Sequence, residues 1–516
     1  MESTTAQISE GRERLAARLA EVSAVSPEDA AIYFGGATYA RGQLLEAAQA
    51  LGDALDRAGV PPGAPVAWVA RNEPGVVGAV LGILMSRRCV SLINPHEPAA
   101  KVAAAVRALK APAIVAAERD WTAELDAAAA RSGAAAFCVS LSAGAAVRPR
   151  PAAERVRGEG FHSVGADIAV ELLTSGTTGE PKRLPLGAER LLTGLSLGIR
   201  KDRHAPGIPA ETLQVKRSPS LVANPMSHVG GFFRVLLSII ELRPIALRER
   251  FRVDEFVEDM RRFRPKSVGL VPAMAAMVLE ADVPPDVFAD VILVRSGTAP
   301  LAPPIKAAFE ARYGVPILSE YGASEFFGGV TVWTLGDYQA HGAAKAGSVG
   351  RPKPDVAIKI VGADSGLELP ADEVGILHLK SPRFGPDWIA TTDLASRDAD
   401  GFVYIHGRSD QAIIRGGFKI LPEKVAEVFR QREDVGEACV IGVKDDRLGA
   451  APLLVVEPAP GHAAPSPEAL QQFARENLAP YQAPVAYEVL PELPRTATMK
   501  VAIGKVRELL ADRYNL

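Results

Sequence analysis

The sequence predicts an α/β protein in which layers of helices and strands form the larger part of the chain. Short strand-like segments and longer helix-like segments alternate from Leu44 to Ala117, and the alternation resumes over 220–322. Such alternation is typical of parallel sheets covered by helices. A third observation divides the chain, because antiparallel strand patterns begin at about residue 347 and a compact α+β segment follows Arg408.

Each element of the first alternating region has its own signal. Apolar residues at helical spacing predict helices over 44–60 and 76–88, whereas short apolar runs at 64–70 and 112–117 predict buried strands. Residues 140–163 are rich in Ala, Arg, Gly and Pro, and we expect a surface connection there.

The second alternating region has strands that end in Gly, Pro or polar residues. In open α/β sheets, ligands collect beyond the carboxyl ends of the strands, so we expect binding residues at these ends. The predicted strands are 220–225, 266–272, 291–297 and 316–322, and the predicted helices are 233–242, 273–281 and 303–314.

The last part of the chain changes to antiparallel strands, which are predicted at 348–361, 375–381 and 401–407. The chain has 516 residues, which is too long for one ordinary core, so two to four domains are expected. We place a domain junction at Gly407–Asp410, directly before the compact α+β tail.

Composition and charge indicate an ordinary globular protein. Hydrophobic residues make up 48% of the chain, charged residues 23%, and the net charge is −3, which gives no reason to expect a nucleic acid or an anionic membrane as partner. Residues 1–22 are typical of an amphipathic helix and lack the apolar core of a signal peptide. The longest apolar run, Gly75–Met85, is too short to span a bilayer.

Cysteine usage favours a reduced, cytoplasmic protein. Cys89, Cys138 and Cys439 are few, far apart and odd in number, so no disulfide framework is expected. The chain has no Cys-x-x-Cys pair, and its eight histidines are scattered, so a structural zinc site is not expected either.

A run of small and hydroxyl residues, Thr174–Gly179, follows an apolar strand and precedes Lys182. Glycines allow tight turns, and the N–H and hydroxyl groups can converge on one anion beside the lysine charge. The run therefore suggests a phosphate-binding loop, although a solvated turn has the same composition. It is not a Walker A loop, because Pro181 precedes the lysine.

Five further positions carry chemistry only in combination with others. His228 follows a strand beside two glycines, and Glu325 could hold Mg²⁺ or simply lie near a helix N-terminus. Asp393 could accept a ribose diol or stabilise a turn, Gly416–Lys419 could be a hairpin, and Lys500 alone is a surface lysine.

Taken in chain order, these stretches resemble the acyl- and aryl-CoA synthetase branch of the adenylate-forming, AMP-binding enzymes. Each motif is weak alone, but six in the correct order make coincidence unlikely. The resemblance spans residues 30 to 510 and rests on Thr174–Lys182, Ser296–Leu301, Tyr321–Glu325, Gly347–Pro352, Asp393 with Arg408, and Pro494–Lys500.

The resemblance implies an architecture. It implies an N-terminal domain, residues 1–408, of layered α/β subdomains with a small β-barrel-like part that binds AMP and the acyl group. A small mobile α+β lid domain, residues 409–516, follows a hinge near Asp410. It also implies two half-reactions at one site: a carboxylate attacks the α-phosphate of Mg-ATP to give acyl-AMP, and the thiol of coenzyme A then displaces AMP.

The resemblance also assigns roles to residues. Lys500, His228 and Glu325 would be catalytic, and the magnesium ligands would be Glu325 and Thr174. The phosphate loop would consist of Thr174, Ser175, Gly176, Thr177, Thr178, Gly179 and Lys182. Adenosine and the α-phosphate would contact Gly297, Thr298, Ala299, Tyr321, Gly322, Ser324, Asp393 and Arg408. Pantetheine would pass Gly416, Gly417 and Phe418. The acid would contact Val229, Gly230, Phe232, Phe233, Val271, Met274 and Phe327.

The partners implied are ATP, Mg²⁺, coenzyme A and a small carboxylic acid, and a homodimer stays open. An amino acid substrate is disfavoured, because Ser227–Phe233 lacks the aspartate that would pair an amine. The predicted pocket is apolar, which favours a hydrophobic, aryl or polycyclic acid.

Three residues depart from the family pattern near the nucleotide. Arg183 and Met499 replace family glycines, and Thr392 replaces the glycine of Thr-Gly-Asp. The changes are neutral drift, or they leave an enzyme that only converts a preformed acyl-adenylate to a thioester. Two more alternatives remain: a carrier protein as the thiol acceptor, and a regulator that binds nucleotide without turnover.

Overall fold

The computed structural model describes residues 9–141, 146–151, 153–174, 182–199, 214–326, 328–416, 418–445, 447–496 and 499–514. For Thr174, Lys182, 197–199 and Ser324 it describes the backbone alone. The chain forms two compact units. Unit 1 comprises Met1–Pro265 with Ala323–Gly328, and unit 2 comprises Lys266–Gly322 with Gly329–Leu516. The predicted boundary between Arg408 and Ser409 lies inside unit 2 and stays a prediction.

Helices are spread over both units. In chain order they are α1 (Glu10–Ser23), α2 (Arg41–Arg57), α3 (Pro74–Met85), α4 (Ala99–Leu109), α5 (Ala123–Ser132), α6 (Ala188–Ile199), α7 (Val229–Ile240), α8 (Val253–Phe263), α9 (Pro272–Glu280), α10 (Pro303–Tyr313), α11 (Leu335–His341), α12 (Pro422–Phe429), α13 (Pro467–Asn477) and α14 (Ile503–Leu510).

The strands of the first part of the chain are β1 (Ala30–Phe34), β2 (Ala37–Ala40), β3 (Pro65–Val69), β4 (Cys89–Ile93), β5 (Ala113–Ala117), β6 (Ala135–Val139), β7 (Val147–Pro149), β8 (Ile168–Thr174), β9 (Lys182–Gly187), β10 (Ser220–Val222), β11 (Ile245–Leu247), β12 (Ser267–Gly269), β13 (Leu293–Ser296) and β14 (Ile317–Ser319).

The remaining strands are β15 (Gly322–Ala323), β16 (Gly328–Gly329), β17 (Thr331–Val332), β18 (Arg351–Pro352), β19 (Ala357–Val361), β20 (Gly375–Ser381), β21 (Gly385–Arg397), β22 (Val403–Arg408), β23 (Ile413–Arg415), β24 (Phe418–Ile420), β25 (Val435–Asp445), β26 (Gly449–Pro458) and β27 (Ala486–Val489).

The largest sheet of unit 1 has seven strands in the order β7-β6-β5-β3-β4-β8-β9. Its inner strands pair in parallel, and β7 and β9 pair antiparallel at the edges. Every residue of β3, β4, β5 and β6 is buried, which explains their continuous apolar runs. The predicted alternation of helices and parallel strands is therefore confirmed here.

The segment predicted as a surface connection contains a short edge strand. Val147–Pro149 pairs antiparallel with β6, and Phe137 lies opposite Pro149. The three-residue strand is partly exposed and ends in proline, which is tolerated at a sheet edge. Its composition therefore gave no strand signal, and the prediction of a plain connection was incomplete.

A second sheet of unit 1 has the order β10-β11-β1-β2. Helix α7 is part of the core beside it, where the ring of Phe232 contacts Trp68 at a centroid distance of 5.9 Å. This core joins the N-terminal helices to the loop that precedes α7, which is one of the predicted sites.

Unit 2 begins with the parallel sheet β12-β13-β14 and continues with the antiparallel sheet β19-β20-β21-β22. The predicted change to antiparallel strands is confirmed, and β20 covers the predicted 375–381. From Ile413 onward, the sheet β24-β23-β26-β25, with β27 beside β26, forms two apolar cores with helices α12 to α14. Over the described ranges, no helix has both the length and the apolar character needed to cross a membrane.

Candidate active site

Two predicted nucleotide segments leave the sheet of unit 2 side by side. Ser296 ends β13 and Ser319 ends β14, and the two residues are register partners in the parallel pair. The backbone N–H of Glu320 donates to the carbonyl oxygen of Ser296 at 2.7 Å. The segments Ser296–Leu301 and Tyr321–Glu325 therefore both begin at one carboxyl edge, as predicted for a ligand site in an α/β sheet.

The backbone at this edge is closely packed, and one buried polar atom there has no partner among the described residues. A Cβ on Gly297 would lie 3.1 Å from the carbonyl oxygen of Glu320, and Thr298 has a left-handed φ of 73°. The hydroxyl of Ser296 is buried and has no hydrogen-bond partner among the described residues. A buried hydroxyl without a partner is costly, and a bound nucleotide fits this position.

Tyr321 is held by hydrogen bonds at its side-chain hydroxyl and at its backbone N–H. Its hydroxyl donates to Oδ2 of Asp393 at 2.5 Å, and its backbone N–H donates to Oγ1 of Thr331 at 3.1 Å. Thr331 in turn donates to the carbonyl oxygen of Val349 at 2.7 Å. The ring predicted to contact adenine is thus held beside the carboxylate predicted to contact ribose.

Asp393 and Arg408 lie directly opposite each other on β21 and β22. The backbone N–H of Asp393 donates to Oγ1 of Thr391 at 3.0 Å, and Thr391 donates to the carbonyl oxygen of Leu377 at 2.9 Å. Thr392 lies between them on the extended strand and is solvent-exposed. An extended strand does not require glycine, so this departure leaves the carboxylate in place.

Arg408 also binds the predicted hinge residue. Its guanidinium makes two hydrogen bonds to the Asp410 carboxylate, at 2.9 and 2.7 Å. These bonds hold the pKa of Asp410 below its ordinary value. The hydroxyl of Ser409 donates to the carbonyl oxygen of Thr392 at 2.9 Å, which ties the junction to β21.

Lys500 projects from a short turn closed by Thr496. The backbone N–H of Thr496 donates to the carbonyl oxygen of Lys500 at 2.8 Å, and the N–H of Lys500 donates to the Thr496 hydroxyl at 3.2 Å. Arg495 and Val501 form a bridge below the turn. Met499 has a left-handed φ of 64°, a conformation that glycine adopts without strain.

The structure brings Lys500 into electrostatic range of the predicted ribose residues. Loss of hydration lowers the pKa of Lys500 below its ordinary value of 10.5, Arg408 lowers it further, and Asp393 opposes the shift. Lys500 is solvent-exposed as a whole residue, so the loss of hydration lowers its pKa only to a limited extent. Tyr321, Asp393, Arg408 and Lys500 thus form one cluster within unit 2.

The predicted phosphate loop lies largely outside the described residues, as do Gly417 and Phe327. Strand β8 ends at Thr174 and β9 begins at Lys182, and the two residues are antiparallel register partners. Strands β8 and β9 are therefore neighbours at the edge of the large sheet. The phosphate-binding role of Ser175, Gly176, Thr177, Thr178 and Gly179 stays a prediction.

Arg183, the first departure from the family pattern, has a charged environment of its own. Its guanidinium donates to the carbonyl oxygen of Leu92 at 3.3 Å. Burial lowers the pKa of Arg183, and the charge of Glu171 opposes this shift. Glu171 also contacts the Ser91 hydroxyl at 2.5 Å and the His162 ring at 2.9 Å. The substituted arginine is thus accommodated beside a buried carboxylate.

The start of helix α7 holds most of the residues predicted to contact the acyl group. His228 is the N-cap residue of α7, Gly230 is exposed, and Phe233 is half-buried. A Cβ on Gly231 would lie 2.3 Å from the carbonyl oxygen of Pro225, so this glycine allows the helix to pack on the loop. Phe232 is 1% exposed and lies in the core.

Other predicted positions are placed as follows. In unit 2, Val271 and Met274 are buried at the start of α9. In unit 1, Glu325 is exposed on a single 3₁₀ turn. Gly416 has a positive φ of 55°, and the exposed ring of Phe418 stacks on Tyr481 at a centroid distance of 4.8 Å. Their assignments to the acid, Mg²⁺ and pantetheine stay predictions.

Asn72 is a positioning residue that the sequence did not single out. Its side chain is fully buried, and its amide donates to the carbonyl oxygens of Asn224 and Arg248, both at 3.0 Å. Its side-chain oxygen accepts from the N–H of Met226 at 2.9 Å. Asn72 therefore fixes the backbone of the loop that leads to His228. The available signal was a polar residue two positions after the predicted buried strand at 64–70.

We expect Asn72→Ala to lower the free energy of unfolding by about 2–4 kcal/mol, because three backbone groups, one of them in a fully buried hydrogen bond, would lose their partner. Denaturant unfolding followed by fluorescence measures this loss. Asn477→Ala, which removes an exposed amide from α13, is the matched control and should change stability by under about 1 kcal/mol. A loss equal to that of the control would contradict the positioning role.

Sequence comparison identifies the family of the chain. The AMP-binding enzyme family matches residues 19–386, and the AMP-binding enzyme C-terminal domain matches residues 424–500. The chain belongs to the AMP-binding enzyme family. This AMP-binding enzyme is 25% identical to the 4-coumarate–CoA ligase-like protein 9 of Oryza sativa subsp. japonica, over 98% of its own length and 92% of the relative's. It is 28% identical to the 2-succinylbenzoate–CoA ligase of Bacillus subtilis, over 70% and 72% of the two chains.

Solved structures show the same fold. O-succinylbenzoate coenzyme A synthetase from Bacillus subtilis, in complex with ATP and magnesium ion, superposes with a TM-score of 0.75 at 22% identity, covering 95% of this chain and 99% of that one. The predicted α/β fold with a smaller C-terminal domain is confirmed. The prediction of an AMP-forming acid–CoA ligase is confirmed at the level of the family, which uses ATP, Mg²⁺ and CoA.

The described residues fit these substrates and the metal ion. Within the described ranges no cluster of three or more His, Cys, Asp or Glu side chains could hold a metal. Mg²⁺ in nucleotide sites takes one or two protein ligands and fills its shell with phosphate oxygens and water, so a lone carboxylate such as Glu325 suits it. The Ser296 hydroxyl and the Tyr321–Asp393 pair suit a nucleoside.

Proposed function

We propose that this chain is an ATP-dependent acyl-CoA ligase that activates a hydrophobic, aryl or polycyclic carboxylic acid. The observation that carries the proposal is the cluster of Tyr321, Asp393, Arg408 and Lys500 in unit 2. An aromatic face, a carboxylate and two cations provide the groups that a nucleoside, its ribose diol and a reacting phosphate require. The acids in the relatives' names, 4-coumarate and 2-succinylbenzoate, support an aryl acid.

In the first half-reaction, a carboxylate oxygen of the acid attacks the α-phosphorus of ATP. A bond forms between them, the bond to the β-phosphate oxygen breaks, and pyrophosphate leaves with the electron pair. Protonated Lys500 would lie against the α-phosphate and the attacking carboxylate, where charge accumulates. Asp393 and Arg408 would hold the ribose, and Ser324 would contact the α-phosphate. Mg²⁺, held by Glu325 and Thr174, would neutralise phosphate oxygens.

In the second half-reaction, the thiol of CoA attacks the carbonyl carbon of acyl-AMP. The thioester bond forms, the thiol proton is released, and AMP leaves as its phosphate anion. We propose that the lid, residues 409–516, turns at Asp410 between the two steps, so that Gly416–Phe418 replaces Lys500 at the substrate. His228 would orient the acyl end, since its loop is held by Asn72.

One experiment tests the whole proposal. The protein is incubated with Mg-ATP, CoA and a pooled library of carboxylic acids, and AMP and new thioesters are measured by mass spectrometry. AMP with one family of thioesters is the expected result. If thioesters formed only when synthetic acyl-adenylates replaced the acid and ATP, the protein would catalyse the second half-reaction but not the first. Transfer of the acyl group to a carrier protein, but not to CoA, would show that the thiol acceptor is a carrier protein. The absence of any product from all of these mixtures would favour a nucleotide-binding regulator.

The rate of adenylation should fall at high pH with an apparent pKa below 10.5. Lys500 acts as a cation, its pKa is lowered in the folded protein, and its charge is therefore lost as the pH rises through this lowered value. Removing the neighbouring positive charge with Arg408→Gln should move the basic limb to higher pH. The measurement is pyrophosphate release against pH, and an unchanged limb in Arg408→Gln would contradict the coupling.

Met499→Gly tests whether a departure from the family pattern near the nucleotide weakens adenylation. Met499 already has the left-handed backbone of a glycine, so the replacement relieves roughly 1 kcal/mol of strain and restores a similar entropy to the unfolded chain. We expect the adenylation rate to change by less than about two-fold. A rise of tenfold or more would mean that Met499 restrains this step and would favour the thioester-forming alternative.

A further inference from the structure

A small cavity lies inside unit 1. Of the elements that line it, only α7 also carries predicted site residues. The cavity has a volume of about 20 Å³, which accommodates one or two water molecules or a single small ion. Its walls come from the end of α1, the start of α2, α3, the end of α7 and the strands β1 and β11. The apolar lining residues are Ala31, Leu44, Leu81, Ile239, Leu242 and Ile245.

Two polar groups in the cavity wall have no hydrogen-bond partner in the part of the chain that the structure describes. Ser23 is 2% exposed and Arg41 is 6% exposed, and both line the cavity. The hydroxyl of Ser23 and Nη1 of Arg41 are buried and make no hydrogen bond to any described residue. Burying either group without a partner costs free energy, and both groups line the same small cavity.

The charge around the cavity is positive. Arg243 also lines it, but its guanidinium is paired with Glu241 at 3.1 Å and with the carbonyl oxygen of Ser218 at 2.8 Å. The Arg41 charge has Asp29 in electrostatic range, and the cavity lining itself contains no carboxylate. A buried cation facing an apolar wall is stabilised far more by an anion than by neutral solvent.

We propose that this cavity binds a small monovalent inorganic anion of halide size between the Ser23 hydroxyl and the Arg41 guanidinium. The hydroxyl and the guanidinium both donate hydrogen bonds, and the small volume suits a monatomic anion. The bound anion ties the end of α1 to the start of α2 and compensates the Arg41 charge. The inference is independent of the catalytic proposal, because it concerns a different part of unit 1.

Thermal unfolding of the full chain tests the inference. Chloride is exchanged for gluconate at constant ionic strength, and we expect the Tm to be about 2–4 °C higher in chloride. Arg41→Met should abolish this difference, and Ser23→Ala should reduce it. Arg57→Met, which removes an exposed arginine at the other end of α2, is the matched control and should keep it. Equal Tm values in the two salts, or a chloride effect retained in Arg41→Met, would overturn the proposal.

A crystal of the wild-type protein grown in bromide gives a test that does not depend on the variants folding. An anomalous peak between Ser23 and Arg41 is expected. Ordered water without anomalous signal at this position would mean that the cavity holds only solvent, and the proposal would fail.

Discussion

Lys500→Ala is expected to lower the rate of acyl-AMP formation by about 10²-fold or more, while thioester formation from supplied acyl-AMP stays nearly unchanged. Lys500 lies in electrostatic range of Asp393 and Arg408, and in the proposed sequence it faces the charge that develops on the α-phosphate only in the first half-reaction, before the lid turns. A point charge on a flexible stem interacts with this charge as it develops. Its loss therefore removes stabilisation specific to one transition state.

The two half-reactions must be measured separately for Lys500→Ala. Pyrophosphate release from acid and ATP reports the first, and thioester formation from synthetic acyl-adenylate and CoA reports the second. Lys505→Ala removes an exposed lysine on the neighbouring helix α14 and should leave both rates unchanged. An equal loss in both half-reactions would show that Lys500 supports the fold or general binding.

Asp393→Ala is expected to lower kcat/KM for ATP in adenylation by roughly 10²-fold or more. Charged hydrogen bonds to the two ribose hydroxyls contribute about 1.5–3 kcal/mol each, and the variant would lose both. The same variant leaves the Tyr321 hydroxyl without its acceptor, so part of the loss comes from the aromatic ring that would contact adenine.

Two controls separate the contributions to the Asp393→Ala effect. Tyr321→Phe removes only the hydroxyl that holds Asp393, and we expect a loss of about tenfold or less. Asp364→Ala removes an exposed carboxylate from another turn of unit 2 and should have no effect. If Asp393→Ala reduced activity with 2′-deoxy-ATP as strongly as with ATP, the carboxylate would not be a ligand of the ribose diol.

The sequence predicted the sheets best where burial is uniform. Strands such as 64–70 and 112–117 are apolar throughout because both faces of the large sheet are covered, and helices of regular spacing lie beside them. The edge strand Val147–Pro149 escaped prediction, because one partly exposed strand of three residues carries neither a continuous apolar run nor a clear alternation.

The site was predictable as a set of segments but not as a geometry. Asp393 and Arg408 share a hairpin, so motif order alone brought them together. The contact of Tyr321 with Asp393 joins residues 72 positions apart, and the role of Asn72 depends on hydrogen bonds to a loop more than 150 positions away. Local patterns contain no information on such pairs, which only tertiary packing defines.

The hydrogen bonds of Asn72 have a consequence for synthesis of the chain on the ribosome. Its two backbone acceptors lie 152 and 176 residues further along, so the amide is buried only after Arg248 has emerged. Strand β3 and helix α3 can pair much earlier, because their contacts are local. A nascent chain that stops before Arg248 therefore leaves this amide without one of its acceptors, even when strand β3 and helix α3 have already paired.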